Sequence, residues 1–129
     1  MSKPFGYSYL LDCYGAKDLD NMEKMYRFLE KLVDKLEMNL AGAISVIHGP
    51  VAFEAGMPKE LYEDKAGLTA FCPLITSAIV CHTIVPRKFL TIDVYSCKEY
   101  KPTTVRDFTK EVFDFDNYEE TFLERGLKY

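Results

Sequence analysis

The chain has 129 residues, 48% of them apolar and 28% charged, with a formal net charge of −4. That length and balance suit a single domain, residues 1–129, with its own core, and they exclude wholesale disorder. The acidic balance argues against a nucleic-acid partner, and no apolar run reaches the roughly 18 residues of a membrane span.

The opening MSKPFGYSYLLDCYG soon carries Asp12 and does not read as a secretory signal, so a soluble, cytoplasmic protein is expected. Residues 5–14 are aromatic and apolar without a helical period, which predicts a first strand. In KDLDNMEKMYRFLEKLVDKLEM the apolar positions Met22, Met25, Tyr26, Leu29, Leu32, Val33 and Leu36 follow the stripe of an amphipathic helix. Asp20, three residues before Glu23, is the expected N-cap. A second strand is predicted over 41–48. The stretch 49–66, with two prolines and two glycines, reads as a long inserted loop. Residues 67–85 form an apolar block that suits strand, broken near Pro73. Pro86, Arg87 and Lys88 make a tight turn. FLTIDVYSC then alternates, with Leu90, Ile92 and Val94 on one face and Thr91, Asp93, Tyr95 and Cys97 on the other. KPTTVRDFTKEVFDF predicts a second helix, capped at Thr104 and striped by Val105, Phe108, Val112 and Phe115. NYEETFLERG suits a last strand. The expected fold is α+β, a two-layer sandwich of a mostly antiparallel sheet with two helices on one face.

Phosphate-binding glycine loops, dinucleotide turns and the hydrolase G-x-S-x-G elbow are absent. Cys13, Cys72 and Cys81 lie in apolar stretches and read as buried free thiols. A zinc site built from His82, Cys81 and Cys72 is disfavoured, because neighbours in a strand point to opposite faces, so no metal is expected. Cys97 is different: it shares a polar face with Asp93 and Tyr95. A thiol in such company, near a histidine, is a candidate proton donor or nucleophile.

The segment SAIVCHT followed by TIDVYSC carries a serine at 77, a histidine at 82 and a cysteine at 97, with Asp93 four residues before the cysteine. In these spacings the chain resembles the prokaryotic S-adenosylmethionine decarboxylase family. Gly6, the LDN at 19–21, the strand ending at His48, GLTA at 67–70 and ERG at 124–126 extend the resemblance outside 49–66.

The resemblance implies a pyruvoyl enzyme that cuts its own chain between Thr76 and Ser77. The Ser77 hydroxyl would attack the Thr76 carbonyl in an N-to-O acyl shift. β-Elimination and hydrolysis would then leave a pyruvoyl group at the new N-terminus. His82 would be the base for processing, Thr69 would stand at the family's assisting serine, and Cys97 would protonate the product. Decarboxylating an α-amino acid needs a carbonyl that can form a Schiff base, and a pyruvoyl group derived from Ser77 supplies it without metal or pyridoxal phosphate. The family works as a homodimer on a small-molecule substrate, with no nucleic acid or membrane involved.

This sequence also departs from the family. Thr76 replaces the usual glutamate before the serine, and Ala78 the usual histidine after it. His82-Thr83-Ile84-Val85-Pro86 stands where the family has His-Thr-Trp-Pro-Glu, so the glutamate for the ribose hydroxyls is missing. Phe53 is the candidate for the adenine-stacking aromatic. Three functions are therefore expected in turn. The first is a self-processing decarboxylase of S-adenosylmethionine for polyamine synthesis. The second is the same machinery acting on another amino acid such as ornithine or arginine, whose cationic side chain could face Glu54, Glu60, Glu63 and Asp64. The third is an uncleaved homologue with a binding or regulatory role.

Overall fold

Along β1 (Gly6–Tyr14) Tyr9, Leu11 and Cys13 are buried, while Leu10 and Tyr14 on the alternate positions are exposed. This period of two recurs in β3 (Leu68–Leu74), β4 (Ser77–Ile84) and β5 (Phe89–Ser96), where Ala70, Cys72, Ile79, Cys81, Leu90, Ile92 and Val94 turn to the same side. A short β2 (Ser45–His48) and a final β6 (Asn117–Arg125) complete a six-stranded sheet in the order β2-β3-β4-β5-β1-β6, antiparallel at every pairing. The computed structural model describes residues 3–49 and 66–129. Phe53 and the acidic residues Glu54, Glu60, Glu63 and Asp64 lie outside the described residues.

Helices α1 (Met22–Lys35) and α2 (Pro102–Phe113) supply the second layer. From α1 the side chains of Met25, Phe28, Leu29, Leu32 and Val33 enter the core. Phe28 stacks on Phe108 at 5.3 Å and meets Phe113 edge-on at 5.0 Å, which joins the helices over one face of the sheet. The stripe is rotated from the expected one. Phe28 is inside, whereas Met22 and Tyr26 stay more than 40% exposed. The cap also moves by one residue. Asn21, not Asp20, accepts from the Lys24 amide, and Asp20 turns instead to His48, 2.7 Å from Nε2. At α2 the N-cap position is Lys101, without a side-chain bond, and Thr104 lies inside the first turn. Pro102 explains the shift: its fixed φ and missing N–H suit the first helical position.

The block 67–85 holds two strands, and the break lies two residues beyond Pro73. Leu74 pairs with Ser77, so Ile75 and Thr76 are the whole turn. Pro73 stays within β3 because its carbonyl accepts from Ala41 on the side away from β4. The N and C=O of one strand residue point the same way, so its missing N–H removes no bond to β4. No other residue in Leu74-Ile75-Thr76-Ser77 marks a turn, which is why proline drew the expected break. The second strand is half as long as the expected 41–48, since β2 begins only at Ser45; the other elements stand where the pattern puts them, with Val85–Arg87 as a short 3-10 turn ahead of β5.

The face of the sheet opposite the helices has no covering layer among the described residues. It carries Leu10, Ile47, Phe71 and Leu123, each more than a third exposed.

Candidate active site

Register decides which of the chemistry-bearing residues meet. Ser77 opens β4 opposite Ser96, the last residue of β5, and Cys97 follows directly. The Ser77 hydroxyl donates to Ser96 Oγ at 2.8 Å and lies 3.2 Å from the carbonyl oxygen of Ile75. Ser96 is fully buried, and its Oγ also accepts from the Lys98 amide at 3.0 Å. Thr76 Oγ1 lies 2.7 Å from Cys97 Sγ. Three hydroxyls and a thiol thus gather around the Thr76–Ser77 bond. Gly6 makes room for this: a Cβ there would lie 2.6 Å from the Ser96 carbonyl oxygen and 3.1 Å from Cys97 Cα. Thr76 itself has a left-handed backbone, φ 55°.

A second pair lies elsewhere. His82 of β4 is paired with Thr69 of β3, and Thr69 Oγ1 is 3.1 Å from His82 Nδ1. Among the described residues Nε2 has no partner. Buried Thr83 pins this register by accepting from the Leu68 amide at 2.8 Å and donating to the Leu19 carbonyl at 2.9 Å. Five residues of strand, about 17 Å, separate His82 from Ser77. The odd offset also turns them to opposite faces: His82 is exposed on the open face, while Ser77 shares the helix-side face of Ile79 and Cys81. One chain therefore brings together Thr76, Ser77 and Cys97, and separately Thr69 and His82. Asp93 sits between the two groups on the open face, opposite Val80.

Ser96 and Thr83 were not among the residues singled out from the sequence. Each is a small hydroxyl in an alternating strand, and only the pairing register shows what it touches.

Beside Ala78 the open face holds a cavity of about 270 Å³ lined by Asp93, Tyr95, Ser8 and Arg125. Arg125 donates to Ser8 Oγ at 2.9 Å and lies over the Tyr95 ring at 5.2 Å. A larger groove of about 530 Å³ runs between α1 and α2 over Phe28 and Phe108, and none of the residues above reaches it.

The four thiols differ in their surroundings. Burial pushes Cys13 up to about 12 and Cys72 up to about 11, and it raises Cys81 as well. These three are buried and Cys97 is only half-buried. Cys81 and His82 point to opposite faces, so they cannot share an ion. With a maleimide reagent on the folded chain at neutral pH, one thiol, Cys97, is expected to react within minutes. The other three should react only in denaturant; peptide mass mapping identifies the labelled residue, and rapid labelling of Cys81 would contradict this burial.

The family model of S-adenosylmethionine decarboxylase matches residues 7–126. No curated protein matches the chain. Among solved structures, the adenosylmethionine decarboxylase from Aquifex aeolicus is similar, with a TM-score of 0.76 at 22% identity over 98% of this chain and 94% of that one. At that identity the likeness speaks for the fold, the two-layer α+β sandwich described above. The family match spans both residue groups and every strand of the sheet, so this chain belongs to the S-adenosylmethionine decarboxylase family.

Proposed function

We propose that the chain is a self-processing, pyruvoyl-dependent decarboxylase of S-adenosylmethionine, a carboxy-lyase serving spermidine synthesis in the cytoplasm. It would act as one domain with 49–66 inserted, and as a homodimer. The observation that carries this reading is the meeting of Thr76, Ser77, Ser96 and Cys97 at one turn. Position 77 fits a pyruvoyl group made in place: it is a serine, its hydroxyl is held, and a thiol borders the bond to be cut. Such a group supplies the electron sink that an α-amino acid needs as it loses CO₂, which no side chain offers.

The roles of the chain's own residues follow. Ser77 Oγ attacks the Thr76 carbonyl carbon. The O–C bond forms, the C–N bond breaks, and the hydroxyl proton passes to the freed nitrogen. His82 takes the Ser77 α-proton in the elimination, with Thr69 holding its ring. Cys97 delivers a proton to the product carbon from beside position 77.

His82 cannot do this for Ser77 of its own chain, given about 17 Å of strand and opposite faces. The reading therefore needs the partner's His82. The sheet face that the described residues leave uncovered supports that arrangement. Its apolar residues Leu10, Ile47, Phe71 and Leu123 would be buried by a second copy. A two-fold axis near Val80 would exchange the two ends of β4 and set the partner's His82 over the Ser77 end.

The test is the state of the bond before Ser77. Intact mass of the purified protein is expected to give fragments 1–76 and 77–129, the second lighter by one ammonia than a serine-started peptide. A single full-length chain after long incubation overturns the reading. A second substrate reading rests on Pro86. It stands in the 3-10 turn Val85–Arg87, where the family's ribose-binding glutamate is expected, so no carboxylate is offered there. Release of CO₂ from S-adenosylmethionine, compared with ornithine and arginine, separates the two.

A further inference from the structure

The turn that joins β3 to β4 is built from residues that disfavour it. A two-residue hairpin turn suits glycine, asparagine or aspartate, with positive φ at its first or at both central positions. Here those positions are Ile75 and Thr76, both β-branched. Ile75 keeps a negative φ, so the turn is neither of the two types whose twist matches the strands. Thr76 takes φ 55°, a region in which the Cβ of a β-branched residue is crowded against its own backbone.

The strained conformation is imposed from both sides. Leu74 and Ser77 are locked as the closing pair, and Ile75 N–H is tied back to the Asn39 carbonyl at 3.1 Å. Among the described residues the other non-glycine positions with positive φ are Asp18, Glu37, Lys88 and Asp114. None of them is β-branched, and none adjoins a reacting group.

We infer that Thr76 is a positioning residue whose left-handed backbone stores the strain that drives scission of the Thr76–Ser77 bond. The inference rests on the reading that this bond is cut. When Ser77 Oγ takes the Thr76 carbonyl from the Ser77 nitrogen, the link between that carbonyl and Ser77 Cα lengthens by one atom. The hairpin constraint on Thr76 φ loosens, and strain present before attack is released on the way to the ester. Destabilising the ground state in this way lowers the barrier without the Thr76 side chain making or breaking any bond.

Substitutions that relax the backbone test this against those that keep it strained. Appearance of the 77–129 fragment is timed in freshly synthesised full-length chain. Thr76→Gly and Thr76→Asn, both at ease with this φ, are expected to cleave roughly tenfold more slowly, equivalent to about 1.4 kcal/mol of barrier. Thr76→Val keeps the β-branch without the hydroxyl and should stay within about threefold of wild type, or about 0.65 kcal/mol. In a Ser77→Ala background, where the chain stays whole, Thr76→Gly and Thr76→Asn should raise Tm by roughly 2–4 °C. Slower cleavage with higher stability is a signature that a merely structural role would not give. Cleavage of the Gly and Asn variants at the wild-type rate, or a Val variant as slow as they are, overturns the inference and leaves the enzyme reading standing. A wild-type chain that never cleaves overturns that reading itself, and this inference with it.

Discussion

Neither a Ser77→Ala chain nor a His82→Ala chain is expected to cleave or decarboxylate alone, yet the two together should. Ser77→Ala removes the hydroxyl that attacks the Thr76 carbonyl and then leaves as a carboxylate oxygen of Thr76, so neither the dehydroalanine nor the carbonyl that water makes from it can form. Its turnover should fall to the uncatalysed level, a loss of at least roughly 10⁶-fold. His82→Ala leaves the nucleophile in place but removes the base, so processing stalls and activity is lost with it. In a mixed pair, one site combines the intact Ser77 of one chain with the partner's intact His82. The other site lacks both. Co-expression, or mixing with reversible dissociation, should therefore yield the 77–129 fragment from the His82→Ala chain and none from the Ser77→Ala chain. Ser77 and His82 of one chain face opposite ways and stand five residues apart, so only the partner's His82 can reach Ser77. If mixed pairs form, by tag pull-down, and still nothing is cleaved, the site is not shared between copies.

Cys97→Ala should separate the two halves of the chemistry. The thiol lies 2.7 Å from Thr76 Oγ1 and beside Ser77, but the proposed scission uses Ser77 Oγ and His82. Cleavage should therefore run to completion, at most a few-fold slower. Turnover is a different matter. The carbanion left after CO₂ departs must be protonated at one carbon, and without a positioned donor that step depends on water. A fall in kcat of roughly 10²–10³-fold is expected, with KM changed far less. Protonation at the wrong carbon would also inactivate the enzyme during turnover, visible as progress curves that bend early. Wild-type kcat in a fully cleaved Cys97→Ala protein would remove Cys97 from the mechanism.

The helices and most strands were legible in the amino-acid order because burial is periodic. Leu29, Leu32 and Val33 could only line one stripe of a helix, and Leu90, Ile92 and Val94 only one face of a strand. Even so, α1 is rotated enough to bury Phe28 and expose Tyr26, because the ring finds Phe108 and Phe113 on α2. The β3–β4 turn was not legible. Ile75 and Thr76 carry strand propensity, and the pairing of whole strands overrides it at a cost borne locally. The spacing of Ser77, His82 and Cys97 was visible as a resemblance. That the five-residue step turns Ser77 and His82 to opposite faces emerges only once both are placed in β4.

By itself, then, the chain order determined the element types, the α+β class and which side chains could do chemistry, since these depend on residue type and on spacing along one strand or helix. Only the tertiary structure decided which of them meet. Ser96 under Ser77, Thr76 against Cys97 and Thr69 beside His82 are contacts between strands, set by pairing register. Register is fixed by the summed packing of every residue in the sheet, and no short segment encodes it.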